Sequence, residues 1–172
     1  MTILYSFVDS QLGPVFIAEN RIGLIRVVWG QKGRTDLEAY ARRWFPGEPI
    51  MASTLEAGAQ IEEYLDGQRR MFDLTLDMRG TPFQLEVWQA LRNIPYGQTR
   101  SYGQVAREIG RPGAARAVGA ACGANPIPLV VPCHRVIGSQ GGLGGFATGL
   151  ADKKWLLELE GDRTDSQRPI QA

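Results

Sequence analysis

The hydrophobic pattern of this chain changes period at Arg79-Gly80-Thr81-Pro82, and the change divides what it can fold into. Before the junction, β-branched and aromatic runs at residues 3–8, 15–18 and 24–29 are separated by Gly13-Pro14 and by the turn-forming stretch 20–23. This is the punctuation of neighbouring strands. Helical spacing follows. Thr35 or Asp36 caps residues 37–45, stopped by Pro46-Gly47; Thr54 opens a second helix with Leu55, Ile61, Tyr64 and Leu65 at helical spacing, ended by Gly67. Residues 71–77 alternate with period two, which predicts a further strand. Beyond the junction, Pro82 takes a first helical position, with Val87, Trp88 and Leu91 as the buried stripe. Ser101 caps residues 102–109, and after Arg111-Pro112-Gly113 another short helix covers 114–122. The expected fold is α+β, with a small α/β unit at residues 1–79 and a mostly helical unit at 80–172.

Composition closes off several classes. With 44% hydrophobic and 22% charged residues in 172, the chain can bury a core and is not a disordered segment. Its longest apolar stretches, such as residues 127–131, are far short of the roughly 20 residues of a membrane span. The opening MTILYSFVDS has no basic region of the kind that begins a signal peptide. Two cysteines and one histidine fall short of the four ligands of a structural zinc. The expectation is a cytoplasmic protein with no metal and no membrane partner. Net charge is only +1, but residues 81–172 hold 10 Lys/Arg against 7 Asp/Glu. Between Arg92 and Arg135 lie six arginines and a single acid, Glu108. That surplus is either the footprint of a polyanion or a solvated basic face.

Two short helices joined by a Gly-containing turn suggest a helix-turn-helix, an outline that helical pairs without DNA also share. The second helix reads Ala114, Ala115, Arg116, Ala117, Val118, Gly119, Ala120, Ala121. Reading base edges in the major groove takes several long polar side chains, and only Arg116 qualifies. Small residues instead admit close backbone approach and one inserted side chain, as in minor-groove binding, or tight packing inside the protein.

The residues with chemistry are Pro132-Cys133-His134, where His134 is the only histidine. An imidazole beside a thiol can take its proton and make the nucleophilic thiolate. Adjacent residues in a regular strand or helix diverge, so a working pair needs a turn at Pro132 or a bridging water. Otherwise this is a buried Cys beside a hydrogen-bonded His. Gly142-Leu143-Gly144-Gly145-Phe146-Ala147 formally fits a dinucleotide fingerprint, but too little chain follows to complete the unit.

Pro132-Cys133-His134-Arg135-Val136 resembles the active-site motif of the O6-alkylguanine-DNA alkyltransferases. The resemblance runs over residues 81–161 through Thr81-Pro82-Phe83-Gln84, Ile94-Pro95-Tyr96-Gly97, Ser101-Tyr102-Gly103, the Ala114 to Gly119 run, Asn125-Pro126 and Leu159-Glu160-Gly161. The first 80 residues match only in length and strand pattern. The family implies a ribonuclease H-like first domain and a winged-helix-like second one carrying the helix-turn-helix. It implies DNA repair by direct reversal: a suicide methyltransferase that moves the alkyl group of O6-methylguanine, and of O4-methylthymine, in duplex DNA onto Cys133. No cofactor is implied, and the expected state is a monomer, with cooperation along DNA left open. A relative that only binds alkylated DNA, or a cysteine hydrolase, are the alternatives; the former replaces the acceptor cysteine.

The resemblance also implies roles. Cys133 is the nucleophile and acceptor, His134 takes its proton through a water, and Glu160 holds His134. Asn125 organises the turn, and Tyr102 donates a proton to the departing guanine and presses on the neighbouring phosphate. Arg116 fills the space the base leaves, with Ala114, Ala115, Tyr102 and Arg135 also at the DNA. The main chain of Cys133 and Val136 and the amide of Ala147 read the guanine edge. Phe146 and Thr148 stand where the family commonly has Tyr and Gly, and Thr148 narrows the alkyl pocket. Cys122, with no histidine beside it, is expected to be a small apolar residue.

Overall fold

The computed structural model describes residues 1–146 and 149–161. The chain divides into two compact units, Met1–Arg79 and Gly80–Ala172.

In the first unit three strands, β1 (Ile3–Val8), β2 (Val15–Glu19) and β3 (Leu24–Trp29), run antiparallel in sequence order. Helix α1 (Gly33–Trp44) follows, and then β4 (Ile50–Ala52), which adds parallel to β1 to complete the order β3-β2-β1-β4. The helix α2 (Glu56–Leu65) closes the series. Alternation along the strands turns Ile3, Ala18 and Ile25 onto one core with Leu37, Ala41 and Phe45 from α1 and its C-cap.

Two expectations change here. Residues 71–77 are not a strand: they make one parallel bridge, Leu24 with Leu76, through hydrogen bonds from Leu24 N to Thr75 O and Asp77 N to Leu24 O. The segment is then held by side chains, Asp77 accepting from Asn20 at 2.7 Å and from Arg79 at 2.8 Å. β4 was not foreseen, because three residues with two exposed show no alternation to read.

The second unit is built on α3 (Pro82–Arg92), α4 (Tyr102–Glu108), α5 (Ala115–Gly123) and α6 (Leu150–Gly161). Two reciprocal capping boxes start α3 and α4, Thr81 with Gln84 and Ser101 with Gln104. Each box satisfies two backbone donors that a helix start otherwise leaves open. Trp88 stands at the centre of the packing. It is 1% exposed, and its indole Nε1 donates to the Ala121 carbonyl at 2.8 Å, tying α3 to α5. Gly80 is required beside it, since a Cβ there would lie 2.6 Å from the indole ring. Between α5 and α6 a 3-10 turn (Cys133–Arg135) leads into β6 (Val136–Ile137), which pairs parallel with β5 (Arg100–Ser101). None of the helices described is long and apolar enough to cross a membrane.

Replacing Trp88 by Phe keeps an apolar ring but removes the indole hydrogen bond to the Ala121 carbonyl, which retains Ala124 N at 3.2 Å. The expected cost of that bond is about 0.5–1.5 kcal/mol, read as a lower denaturant midpoint for the transition of this unit.

Candidate active site

The approach to Cys133 is a constrained loop. Leu129 has φ +74°, unusual for a residue with a side chain, and it is 1% exposed. Hydrogen bonds on both sides hold it there. Asn125 Nδ2 donates to the Val131 carbonyl at 2.8 Å, Asn125 Oδ1 accepts from Ile127 N at 3.0 Å, and Val131 N donates to Ile127 O at 2.9 Å. The strained residue is thus over-determined by its surroundings. The chain then turns at Pro132 (φ −81°, ψ 65°) into the 3-10 turn. Here is the bend at Pro132 that a Cys-His pair requires: neither strand nor α-helix geometry applies to Cys133 and His134.

Both residues are buried, Cys133 at 5% and His134 at 0% exposure. His134 Nε2 lies 2.8 Å from Glu160 Oε1, on α6. Glu160, 1% exposed, also accepts from Gly97 N at 3.2 Å and from Arg135, whose Nε and Nη2 reach it at 2.9 and 2.7 Å. Burial alone would raise the Glu160 carboxyl, but the hydrogen bond from His134 together with the hydrogen bonds and positive charge of Arg135 hold it well below the usual carboxylate range. Burial lowers His134, and the Arg135 and Lys153 charges add to that against the pull of Glu160, so the resting imidazole is neutral. The Cys133 thiol is pushed up by burial and drawn down by a hydrogen bond from Asn125 and by the charge of Lys153. Cys122 is pushed up to about 12, by burial first and then by Cys133.

Lys153 was missed in the sequence. It is fully buried, and its Nζ donates to Val136 O at 2.5 Å, with Tyr102 Oη and Gly145 O each at 3.5 Å. Among the described residues no carboxylate pairs with it; its interacting anion-forming groups are Cys133 and Cys122. Its signal was positional. Lys153, Leu156, Leu157 and Glu160 recur at one-face helical spacing, so a lysine and a glutamate occupy a stripe that is otherwise apolar.

Tyr102, the first residue of α4, packs its ring over Gly119 of α5. Burial pushes its phenol up to about 12, so it remains a proton donor. The 142–146 loop approaches it closely: a Cβ on Gly144, at φ +68°, would sit 2.6 Å from Tyr102 Oη. Val136 lies against the same cluster through its carbonyl on Lys153. Ala147 and Thr148 lie outside the described residues.

α4 and α5 with the turn between them form the helix pair. Ala114 is the N-cap of α5, Ala115 its first residue, and Arg116 projects exposed beside them without an ion-pair partner among the described residues. The basic surplus is smaller than it reads. Arg100 pairs with Glu108 and Arg111 with Glu86, leaving Arg92, Arg107 and Arg116 as exposed arginines of this stretch with no carboxylate partner among the described residues. Arg135 corrects the expectation that it touches DNA. It is buried, with its guanidinium divided between Glu160 and the Ile94 carbonyl at 2.7 Å, and none of this is presented to a ligand surface. Among the described residues no group of three or more His, Cys, Asp or Glu side chains is gathered for a metal.

Comparison with known proteins adds to this geometry. Residues 82–162 match the family described as 6-O-methylguanine DNA methyltransferase, DNA binding domain, and residues 3–78 its ribonuclease-like domain. The chain is 45% identical to a methylated-DNA–protein-cysteine methyltransferase of Methanosarcina acetivorans, over 91% of this chain and 97% of that protein. It is 47% identical to the inducible methylated-DNA–protein-cysteine methyltransferase of Bacillus subtilis, over 92% and 90%. The crystal structure of Mycobacterium tuberculosis OGT in complex with DNA superposes with a TM-score of 0.80 at 42% identity, covering 95% of this chain and 96% of that one.

The Glu160 carboxyl is held low in the folded protein, so the stability it contributes is present above the ordinary carboxylate pKa of about 4.3 and is lost as pH falls below that. Glu160→Gln should therefore lose roughly 3–5 kcal/mol at neutral pH, by breaking a buried pair. It should also flatten the acid limb of stability, both measured by denaturation at a series of pH values.

Proposed function

Because the chain belongs to the 6-O-methylguanine DNA methyltransferase family, we propose that Cys133 removes the alkyl group of O6-methylguanine in duplex DNA and keeps it. One observation carries the reading: a buried thiol in a constrained turn, with the neighbouring His134 fixed on Glu160, in the same unit as an exposed arginine on a helix pair. DNA is the partner, as for the mycobacterial relative solved with it. O4-methylthymine is a second substrate of the same pocket, and the protein acts as a monomer.

The reaction is an in-line displacement. A buried thiol is a poor nucleophile, so the proton must leave before sulfur attacks. With Nε2 held on Glu160, the other nitrogen of His134 takes that proton through a water, and the carboxylate stabilises the imidazolium. Lys153 offsets the thiolate charge, and the Asn125 amide supports it by hydrogen bonding. Sulfur then bonds to the methyl carbon while the carbon–O6 bond breaks. The electron pair leaves on guanine O6, where the protonated phenol of Tyr102 supplies a proton. The products are S-methylcysteine and guanine. A thioether is not hydrolysed, so each molecule reacts once.

A stacked base hides O6, so the nucleotide must be extruded at a cost of a few kcal/mol. Arg116, exposed at the start of α5 among small residues, fills the vacated space, with Ala114 and Ala115 allowing the backbone close to the strand. The main chain of Cys133 and Val136 and the amide of Ala147 read the guanine, and Thr148 limits the adduct size.

Intact-protein mass after incubation with an excess of methylated duplex should show one added methylene per molecule, mapped to the Cys133 peptide and absent from Cys122. Cys133→Ser should abolish the adduct and retain DNA binding. Continued turnover would point to a hydrolase, and binding without an adduct to a damage sensor. Arg116→Ala should slow repair of duplex by about tenfold or more, since extrusion energy is at stake. Reaction with free O6-alkylguanine base should change far less; equal losses would place Arg116 in the pocket instead.

A further inference from the structure

Arg135 has no task in the transfer steps, yet it is 6% exposed and directs its guanidinium at the carboxylate that meets His134. Its Nε lies 2.9 and 3.2 Å from the two Glu160 oxygens, and its Nη2 lies 2.7 Å from Oε1, the oxygen that also meets His134 Nε2. Nη1 is anchored on the Ile94 carbonyl at 2.7 Å, and the guanidinium carbon sits 5.7 Å from the Tyr96 ring centroid. One arginine therefore grips both carboxylate oxygens and is itself fixed at its far end.

We propose that Arg135 is a positioning residue for the general base: by sharing the Glu160 carboxylate with His134, it fixes that carboxylate and keeps the resting imidazole neutral and able to accept the Cys133 proton. An imidazole against a bare buried carboxylate holds a proton at rest and cannot take another. Arg135 and Glu160 together carry no net charge, so His134 keeps its orienting hydrogen bond without the full pull of an unshared anion. The ionisable groups around His134 oppose one another, and the cations outnumber the carboxylate. Glu160 and Lys153 face it from α6, and Arg135 and Cys133 flank it on its own turn. The other helix packed here, α3, buries only apolar Val87, Trp88 and Leu91. Two cations stand against one carboxylate, and burial acts in the same direction as the cations.

The proposal rests on the methyl-transfer reading for its purpose, but its charge balance is read on His134 itself. As the protein's only histidine, its imidazole signals titrate by NMR without ambiguity of assignment. Arg135→Met should raise the midpoint of proton uptake by the His134–Glu160 pair by about one pH unit or more. The acid limb of the transfer rate should shift upward with it. Glu160→Gln should lower the midpoint, and the double variant, which again leaves no net charge beside the ring, should return it toward wild type. Arg135→Lys, which keeps the charge, should stay near wild type. An Arg135→Met midpoint equal to wild type overturns the proposal, as does a rate lowered equally at every pH, the mark of a purely structural brace. Where Arg135→Met does not fold, the double variant decides: a midpoint above that of Glu160→Gln supports the proposal, and an equal one overturns it. Failure of wild-type protein to take up a methyl group would instead overturn the functional reading and leave the His134 titration standing.

Discussion

A carboxylate removed from water needs donors and positive charge around it, and Glu160 has both. His134, Arg135 and the Gly97 amide converge on it from the 3-10 turn and from the loop after α3. Such a cluster is costly to break and strongly directional. It therefore fixes where α6, the Cys133 turn and the Ile94–Gly97 loop meet in the second unit. The orientation of the His134 ring follows from that meeting, and the proposed activation of the Cys133 thiol depends on it.

Lys153 makes a second buried charge about two turns away on the same helix. An ammonium fully enclosed with carbonyls and a phenol, and with no described carboxylate, is unfavourable in the resting protein. It becomes well matched only when an anion forms beside it. The thiolate of Cys133 is such an anion. Under the proposed mechanism the site carries a resting cost that declines as the thiolate forms, the arrangement expected where a protein is built to favour a charge that appears only transiently.

Several features were legible along the chain because they depend on neighbours in sequence. The period change at Arg79-Gly80, the capping residues Thr81 and Ser101, the Val87–Trp88–Leu91 stripe and the bend needed at Pro132 are all local. Short or one-sided elements were not. Residues 71–77 alternate like a strand, yet only Leu76 finds a ladder partner. β4 shows no alternation because two of its three residues are exposed. Lys153 interrupts the stripe of α6, where a charged residue reads as surface until a partner is known.

By itself the sequence determined which thiol, which imidazole and which long cationic side chain of the helix pair are the candidates for the proposed chemistry. Cys133 and His134 are adjacent, His134 is unique, and Arg116 is the one long side chain among alanines and glycines. Only the tertiary structure decided the fate of the charges. Arg135 read as part of a basic surface and is instead an interior partner of Glu160, while Arg100 and Arg111 are occupied by Glu108 and Glu86. The physical reason is that a charge is defined by its surroundings. Whether it meets water, an anion or a carbonyl depends on which distant segments arrive beside it, and residue type and spacing do not encode those arrivals.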